Sequence, residues 1–190
     1  MGDCTNPAVL VVDDEDSVRE AYTMYLESAS YEVVTAATGG EALIELGPEI
    51  DVVLLDRRMP GMSGDEVLEH IEEWESHCRV AMVTAVDPGD DIVDMGFDDY
   101  LNKPVSKDEL LDTVEQLLLF DRYETLLSEY HSVVRKYALL RSNASSVRGN
   151  DHLRTLEQRR DRLRDEIDAV IDQFTDDAIA EVLREAHTAS

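Results

Sequence analysis

Read as a string of apolar and polar positions, the chain changes character near residue 120. Before that point short apolar runs alternate with stretches of three- and four-residue spacing. The runs AVLVV (8–12), YEVVTA (31–36), DVVLL (51–55), RVAMVT (79–84) and DDYLN (98–102) predict five strands. The intervening segments predict helices over roughly 16–29, 39–46, 64–75, 88–95 and 107–120. Thr38 with Glu41, Ser63 with Glu66 and Ser106 with Glu109 each set a hydroxyl three residues ahead of a glutamate, the signature of a helix start. Asp87-Pro88 is a fourth start, an acid at the cap followed by proline at the first helical position. Alternating strands and helices with short connections predict a five-stranded parallel sheet covered by helices on both faces.

After about residue 121 the strand pattern stops. Apolar residues at 123, 126, 127, 130, 133, 134, 137 and 140 keep helical spacing, so a helix continues or restarts directly after the fifth. The turn-rich stretch RSNASSVRGN (141–150) is expected to break it. A second helix is expected over about 151–173, with Leu153, Leu156, Leu163, Ile167, Val170 and Ile171 on one stripe. Thr175-Asp176-Asp177 caps a short last helix reaching about residue 187. This divides the chain into an α/β domain, residues 1–120, and an all-α domain, residues 121–190, built as a helical hairpin or a coiled coil.

Charge sharpens the division. The chain carries 43 acidic and 17 basic residues, a formal net charge of −26. Residues 121–190 account for only −3 of it, leaving −23 on residues 1–120. Such a surface repels nucleic acid and anionic membrane unless salt screens it. Only Lys103, Lys107 and Lys136 are lysines. This acid-rich, lysine-poor composition resembles that of proteins from salt-loving archaea, whose molar salt shortens the Debye length to about 3 Å. No apolar run approaches the ~18 residues of a membrane span, and the N-terminus lacks a signal pattern, so a cytoplasmic protein is expected. Cys4 and Cys78 stand in no metal or redox spacing and are expected as free thiols.

The chemistry gathers at the ends of the predicted strands. Asp13 and Asp14 follow the first, Asp56 ends the third, Thr84 the fourth, and Lys103-Pro104 the fifth. In a parallel sheet these ends open on one edge, where ligands bind at a topological switch point. Three clustered carboxylates need a cation, and an all-oxygen donor set suits a hard divalent ion such as Mg²⁺.

By these five positions, residues 8–120 resemble a response-regulator receiver domain, a flavodoxin-like doubly wound (βα)5 fold. The resemblance implies that Asp56 is the phosphoryl acceptor, a carboxylate nucleophile serving a partner histidine kinase. It implies that Asp13, Asp14, Asp56 and the backbone carbonyl of Arg58 hold Mg²⁺, that Lys103 meets the phosphate, and that Thr84 offers it a hydroxyl. It further implies a cis Lys103–Pro104 bond and a switch role for Tyr100, whose ring follows Thr84; ordinary core packing is the alternative for Tyr100. Arg58 and Val86 occupy positions where receivers vary and border the path of the hydrolytic water, so both are expected to modulate the acyl-phosphate lifetime. A solvated charge is the alternative for Arg58. Eighteen residues separate Thr84 from Lys103, so the fourth helix has room for about two turns and its part in the usual signalling face is open.

Residues 121–190 resemble the HalX-type domain that follows receivers in halophilic archaea, through placement, length and helical pattern. The stripe Tyr123, Leu126, Tyr130, Val133, Tyr137 and Leu140 suits an interface to a second copy or the hairpin's own core. The run LRTLEQRRDRLRDE (153–166) is basic but interleaved with acids, so ion pairs along a solvated helix are favoured over a DNA contact. A phosphorylation-controlled regulator is therefore expected, acting by self-association as a homodimer or by partner binding. Control of DNA binding is the alternative. A turnover enzyme is disfavoured, since no second general acid is evident.

Overall fold

The structure, a computed structural model, describes residues 6–74, 77–85, 95–143, 147–174, 179 and 183. Two compact units divide it, Met1–Leu118 and Leu119–Ser190.

In the first unit the five apolar runs form β1 (Ala8–Val12), β2 (Glu32–Ala36), β3 (Val52–Leu55), β4 (Arg79–Thr84) and β5 (Asp99–Asn102). They make one parallel sheet in the order β2-β1-β3-β4-β5. The helices are α1 (Asp16–Ser28), α2 (Gly39–Glu45), α3 (Gly64–Glu73) and the start of α4 (Lys107–Asn143). Because strand side chains alternate, β1, β3 and β4 are apolar on both faces. Leu10, Val12, Val53, Leu55, Val80 and Met82 enter one core with Val67, Leu68 and Ile71 of α3. Val9, Val11, Val52, Leu54, Ala81 and Val83 enter the other with Tyr22 and Leu26 of α1 and Leu110, Val114 and Leu117 of α4. Each fully buried Val or Leu contributes about 1.5–3 kcal/mol through removal of apolar surface from water.

The predicted helix starts take the expected form. The Thr38 hydroxyl accepts from the Glu41 amide, and Ser63 and Ser106 make reciprocal boxes with Glu66 and Glu109. The helix expected over 88–95 and its Asp87-Pro88 start lie outside the described residues, Met95 excepted.

Of the two expectations after residue 120, continuation holds: α4 runs unbroken from Lys107 to Asn143. No proline or glycine falls between Val105 and Asn143, so backbone hydrogen bonding has no cause to break off. Within the expected break over 141–150 the described residues are helical, to Asn143 and again from Val147, where α5 (Val147–Ile171) begins; residues 144–146 lie outside the described residues. Of the last helix expected after Thr175-Asp176-Asp177, the described residues are Ile179 and Leu183, both helical.

Within the second unit α4 and α5 pack as a hairpin. Leu119 and Tyr123 bury against Ile167, Val170, Ile171 and Phe174, with Leu126 and Tyr130 partly buried against the same cluster. The Phe120 and Phe174 rings meet edge to face at 4.8 Å between centroids. Farther along, the Tyr137 hydroxyl donates to Glu157 Oε1 at 2.8 Å, and the Arg160 guanidinium lies 5.8 Å from the centre of the Tyr137 ring. The stripe from Tyr123 to Leu140, read as interface or hairpin core, is thus largely occupied by α5. Tyr123 and Val133 are buried, Leu126, Tyr130 and Tyr137 half-buried, and Leu140 exposed. Two arginines of the run form ion pairs. Arg159 reaches across the hairpin to Glu129, and Arg160 pairs with its neighbour Asp161.

Candidate functional site

Parallel register brings the strand ends level. Val12 pairs with Leu55, Leu55 with Met82, and Thr84 with Asn102. The residues that follow, Asp13, Asp56 and Lys103, therefore emerge on the same edge. They do so at the switch point where β1 lies between β2 and β3, the position open α/β sheets use for ligands.

Backbone contacts hold each group. The Asp13 amide donates to the Ala36 carbonyl at 3.2 Å and the Asp56 amide to the Val12 carbonyl at 2.8 Å. Asp13 Oδ1 accepts from the Glu15 amide at 2.9 Å, and Asp56 Oδ1 from the Arg58 amide at 3.2 Å. The Lys103 amide donates to the Thr84 carbonyl at 2.9 Å, and the Lys103–Pro104 peptide bond is cis.

The carboxylates and the ammonium meet directly. Lys103 Nζ lies 2.5 Å from Asp13 Oδ2 and 2.8 Å from Asp56 Oδ2. Asp13 is 2% and Asp56 7% exposed, so these pairs are poorly screened. Burial by itself pulls the Lys103 ammonium down, but its hydrogen bonds to Asp13 and Asp56 outweigh that and hold it above the usual lysine range. Oxygens of Asp13, Asp14 and Asp56 fall within 4.8 Å of one another, with Asp14 exposed to solvent. This is a donor set for a hard cation with room left for water or an anion.

Thr84 is buried at the end of β4, and Tyr100 in β5 is half-buried with its ring 5.6 Å from that of Phe97. Arg58 exposes its side chain while its amide serves Asp56. Val86 lies outside the described residues.

Two contributors escaped the pattern of strand ends. Arg19, on α1, donates from Nη1 to the Asp13 carbonyl at 2.5 Å and pairs with Asp16, tying the acidic loop to the helix after it. Its spacing of three from Asp16 was the available signal. Gly64 opens α3 directly against the end of β3: its amide donates to the Arg57 carbonyl at 2.9 Å, and a Cβ there would fall 2.2 Å from the Asp56 carbonyl oxygen. Beside it, Arg57 Nε pairs with Asp65 at 3.0 Å.

A doubly wound sheet in this order, with clustered acids facing a lysine at its switch point, defines the class of CheY-like receiver modules. The chain belongs to the response regulator receiver family, whose domain model matches residues 9–115; a HalX domain matches residues 119–183. A Haloferax volcanii protein provisionally named a transcriptional regulator is 44% identical over 164 residues, covering 86% of this chain; the chain spans 28% of that protein's length. The CheY-like receiver domain protein of Methanospirillum hungatei is 30% identical with a TM-score of 0.60, covering 63% of this chain and 99% of that one. The response regulator TrrA of Thermotoga maritima, solved in complex with Mg²⁺ and BeF, is 36% identical with a TM-score of 0.53, covering 59% and 99%. Among the described residues, no helix is long and apolar enough to cross a membrane.

Proposed function

We propose that the chain is a phosphorylation-controlled regulator in which residues 1–120 receive a phosphoryl group on Asp56 and residues 121–190 pass the signal on. The observation that carries this reading is the Lys103 ammonium bridging Asp13 and Asp56 at the end of a buried strand.

In the proposed step a carboxylate oxygen of Asp56 attacks the phosphorus of a phosphohistidine on a partner kinase. A P–O bond forms, the P–N bond breaks, and the departing imidazole nitrogen keeps the electron pair and takes up a proton. The protein's contribution is position and charge. The four apolar residues of β3 and the Arg58 amide fix the nucleophile. Lys103 follows the charge from the carboxylate to the phosphoryl oxygens, and Thr84 supplies a hydroxyl to one of them. Asp13, Asp14, Asp56 and the Arg58 carbonyl would hold Mg²⁺, which when bound neutralises charge on the phosphoryl group. Tyr100, on β5 in register with Met82 two positions before Thr84, is the proposed reader of the phosphorylated state, and Arg58 and Val86 the proposed modulators of its lifetime.

Output through residues 121–190 is proposed as self-association or partner binding. The relative's name as a transcriptional regulator favours DNA control as a second reading, against which stands the charge of −23 on residues 1–120.

The test is incubation of the full chain with acetyl phosphate and Mg²⁺. A hydroxylamine-labile phosphoryl group is expected on the wild type, to be lost in Asp56→Asn and on chelation. Equal labelling of Asp56→Asn would overturn the assignment. Light-scattering mass with and without beryllium fluoride separates assembly from partner binding, and a gel shift at molar salt tests DNA.

A further inference from the structure

The loop end of the α4–α5 hairpin differs from the rest of the molecule in two independent ways. Leu139 and Leu140 on α4 are 64% and 39% exposed, although both lie within a helix that buries its other large apolar residues at least partly along this length. They line a groove of about 420 Å³ together with Lys136 and, from α5, His152, Thr155 and Leu156. The charge there is also reversed. Residues 131–160 hold seven Lys and Arg against two acids, and with Arg159 and Arg160 paired to Glu129 and Asp161 five remain against two, in a chain whose net charge is −26. Lys136 lines the groove, and Arg135, Arg141 and Arg154 are exposed at nearby positions along α4 and α5. Of the two acids, Glu157 is engaged by the Tyr137 hydroxyl and Asp151 is exposed.

We propose that this groove docks an amphipathic, acid-flanked helical segment of another protein, leucine-type side chains entering between Leu139, Leu140 and Leu156 and acids meeting the basic rim. Three occupants compete for such a surface, and charge with chemistry separates them. An isologous contact with a second copy would set the same patch on itself, so rim would meet like-charged rim. Nucleic acid would satisfy the rim but not the groove, because phosphates and sugars leave the leucines without apolar partners. A helix laid with its apolar face down and acids along its edges satisfies both, the apolar contact giving affinity and the charges selecting the partner. The rest of this acidic chain would repel such a segment, which confines docking to the hairpin end. The inference rests on reading residues 121–190 as the output part, but its argument is independent of phosphotransfer.

The experiment uses full-length protein and a fluorescent helical probe peptide with leucines at i, i+3 and i+7 flanked by glutamates, titrated by anisotropy. Controls are the same peptide with lysine for glutamate, one with serine for leucine, and a labelled DNA duplex. Binding of the glutamate peptide alone is expected, weakened about tenfold or more by Leu139→Ser with Leu140→Ser, and similarly by Lys136→Glu. These residues are exposed, so circular dichroism and the unfolding midpoint should stay at wild-type values. Asp56→Asn should leave the titration unchanged, which keeps this test apart from the phosphotransfer test. Equal binding of both charge variants of the peptide, insensitivity to the leucine substitutions, or preference for the duplex would each overturn the proposal. So would a doubled light-scattering mass that the leucine substitutions abolish, which would assign the groove to a second copy.

Discussion

Adding one methyl group at residue 64 tests how closely the end of β3 is held by the helix after it. A Cβ on Gly64 would stand 2.2 Å from the Asp56 carbonyl oxygen, 2.8 Å from Arg57 Cα and 2.9 Å from the Asp56 carbonyl carbon. Contacts of this kind essentially never fall below 3.0 Å, so the backbone beneath Asp56 must give way by 3.0 − 2.2, or 0.8 Å. All three atoms belong to backbone, so no side-chain rotation relieves the clash. Overpacking of this kind costs about 1–3 kcal/mol. The displacement also moves the residue whose carboxylate faces Lys103 at 2.8 Å, and a misplacement near 1 Å lowers a reaction rate by up to about a hundredfold. Gly64→Ala is therefore expected to unfold at lower denaturant and, under conditions where it stays folded, to take up phosphate from acetyl phosphate about ten- to a hundredfold more slowly. The paired assay is the initial rate of acyl-phosphate formation and urea unfolding on the same preparation. A variant with the wild-type rate and a stability within about 0.5 kcal/mol would refute the account of α3 as a rigid stop behind Asp56.

Other perturbations read other parts of the structure. Lys103→Met leaves Asp13 and Asp56 facing each other without their ammonium, so the metal-free protein should lose about 3 kcal/mol in urea unfolding, part of which Mg²⁺ should restore. Burial pushes the Tyr22 hydroxyl up to about 12, only partly opposed by the Lys103 charge. A raised folded-state value means that the stabilisation is complete below the ordinary tyrosine value near 10 and is lost as pH rises from there through about 12. An alkaline unfolding series should show that loss, and Tyr22→Phe should reduce it, with Tyr31, Tyr123 and Tyr137, also raised, accounting for the remainder. Ile167→Ala, at a fully buried hairpin position, should cost residues 119–190 about 2–5 kcal/mol in the unfolding transition they report.

What could be read from the sequence follows from which signals are local. Val52–Leu55 announces a strand buried on both faces because four apolar residues in a row suit no amphipathic element, and the charge after it marks the sheet edge. Asp13, Asp14, Asp56, Thr84 and Lys103 could be gathered because parallel strands put all their ends on one side. Gly64 and Arg19 could not, since their contacts run to backbone carbonyls, which carry no sequence label. The run through Phe120 left continuation and restart both open for a related reason. The fifth helix of the α/β unit and the first of the hairpin share one period, and no residue between them breaks a helix. The exposed Leu139 and Leu140 look in sequence like the end of a core stripe; only the position of α5 leaves them uncovered.

The site's span along the chain carries a consequence for biosynthesis. Lys103 lies 90 residues after the Asp13 it contacts and 47 after Asp56, and it sits beyond β5, the edge strand that is made last and pairs only with β4. A nascent chain that ends before β5 carries Asp13 and Asp56 but not the ammonium that faces them. On the proposed reading, competence to accept a phosphoryl group is acquired at the final pairing of the sheet, and a chain lacking Lys103 would be silent to a kinase. A chain split between β4 and β5 and reassembled from its two pieces would regain the site only on docking of the second piece, making phosphoryl uptake a direct readout of complementation.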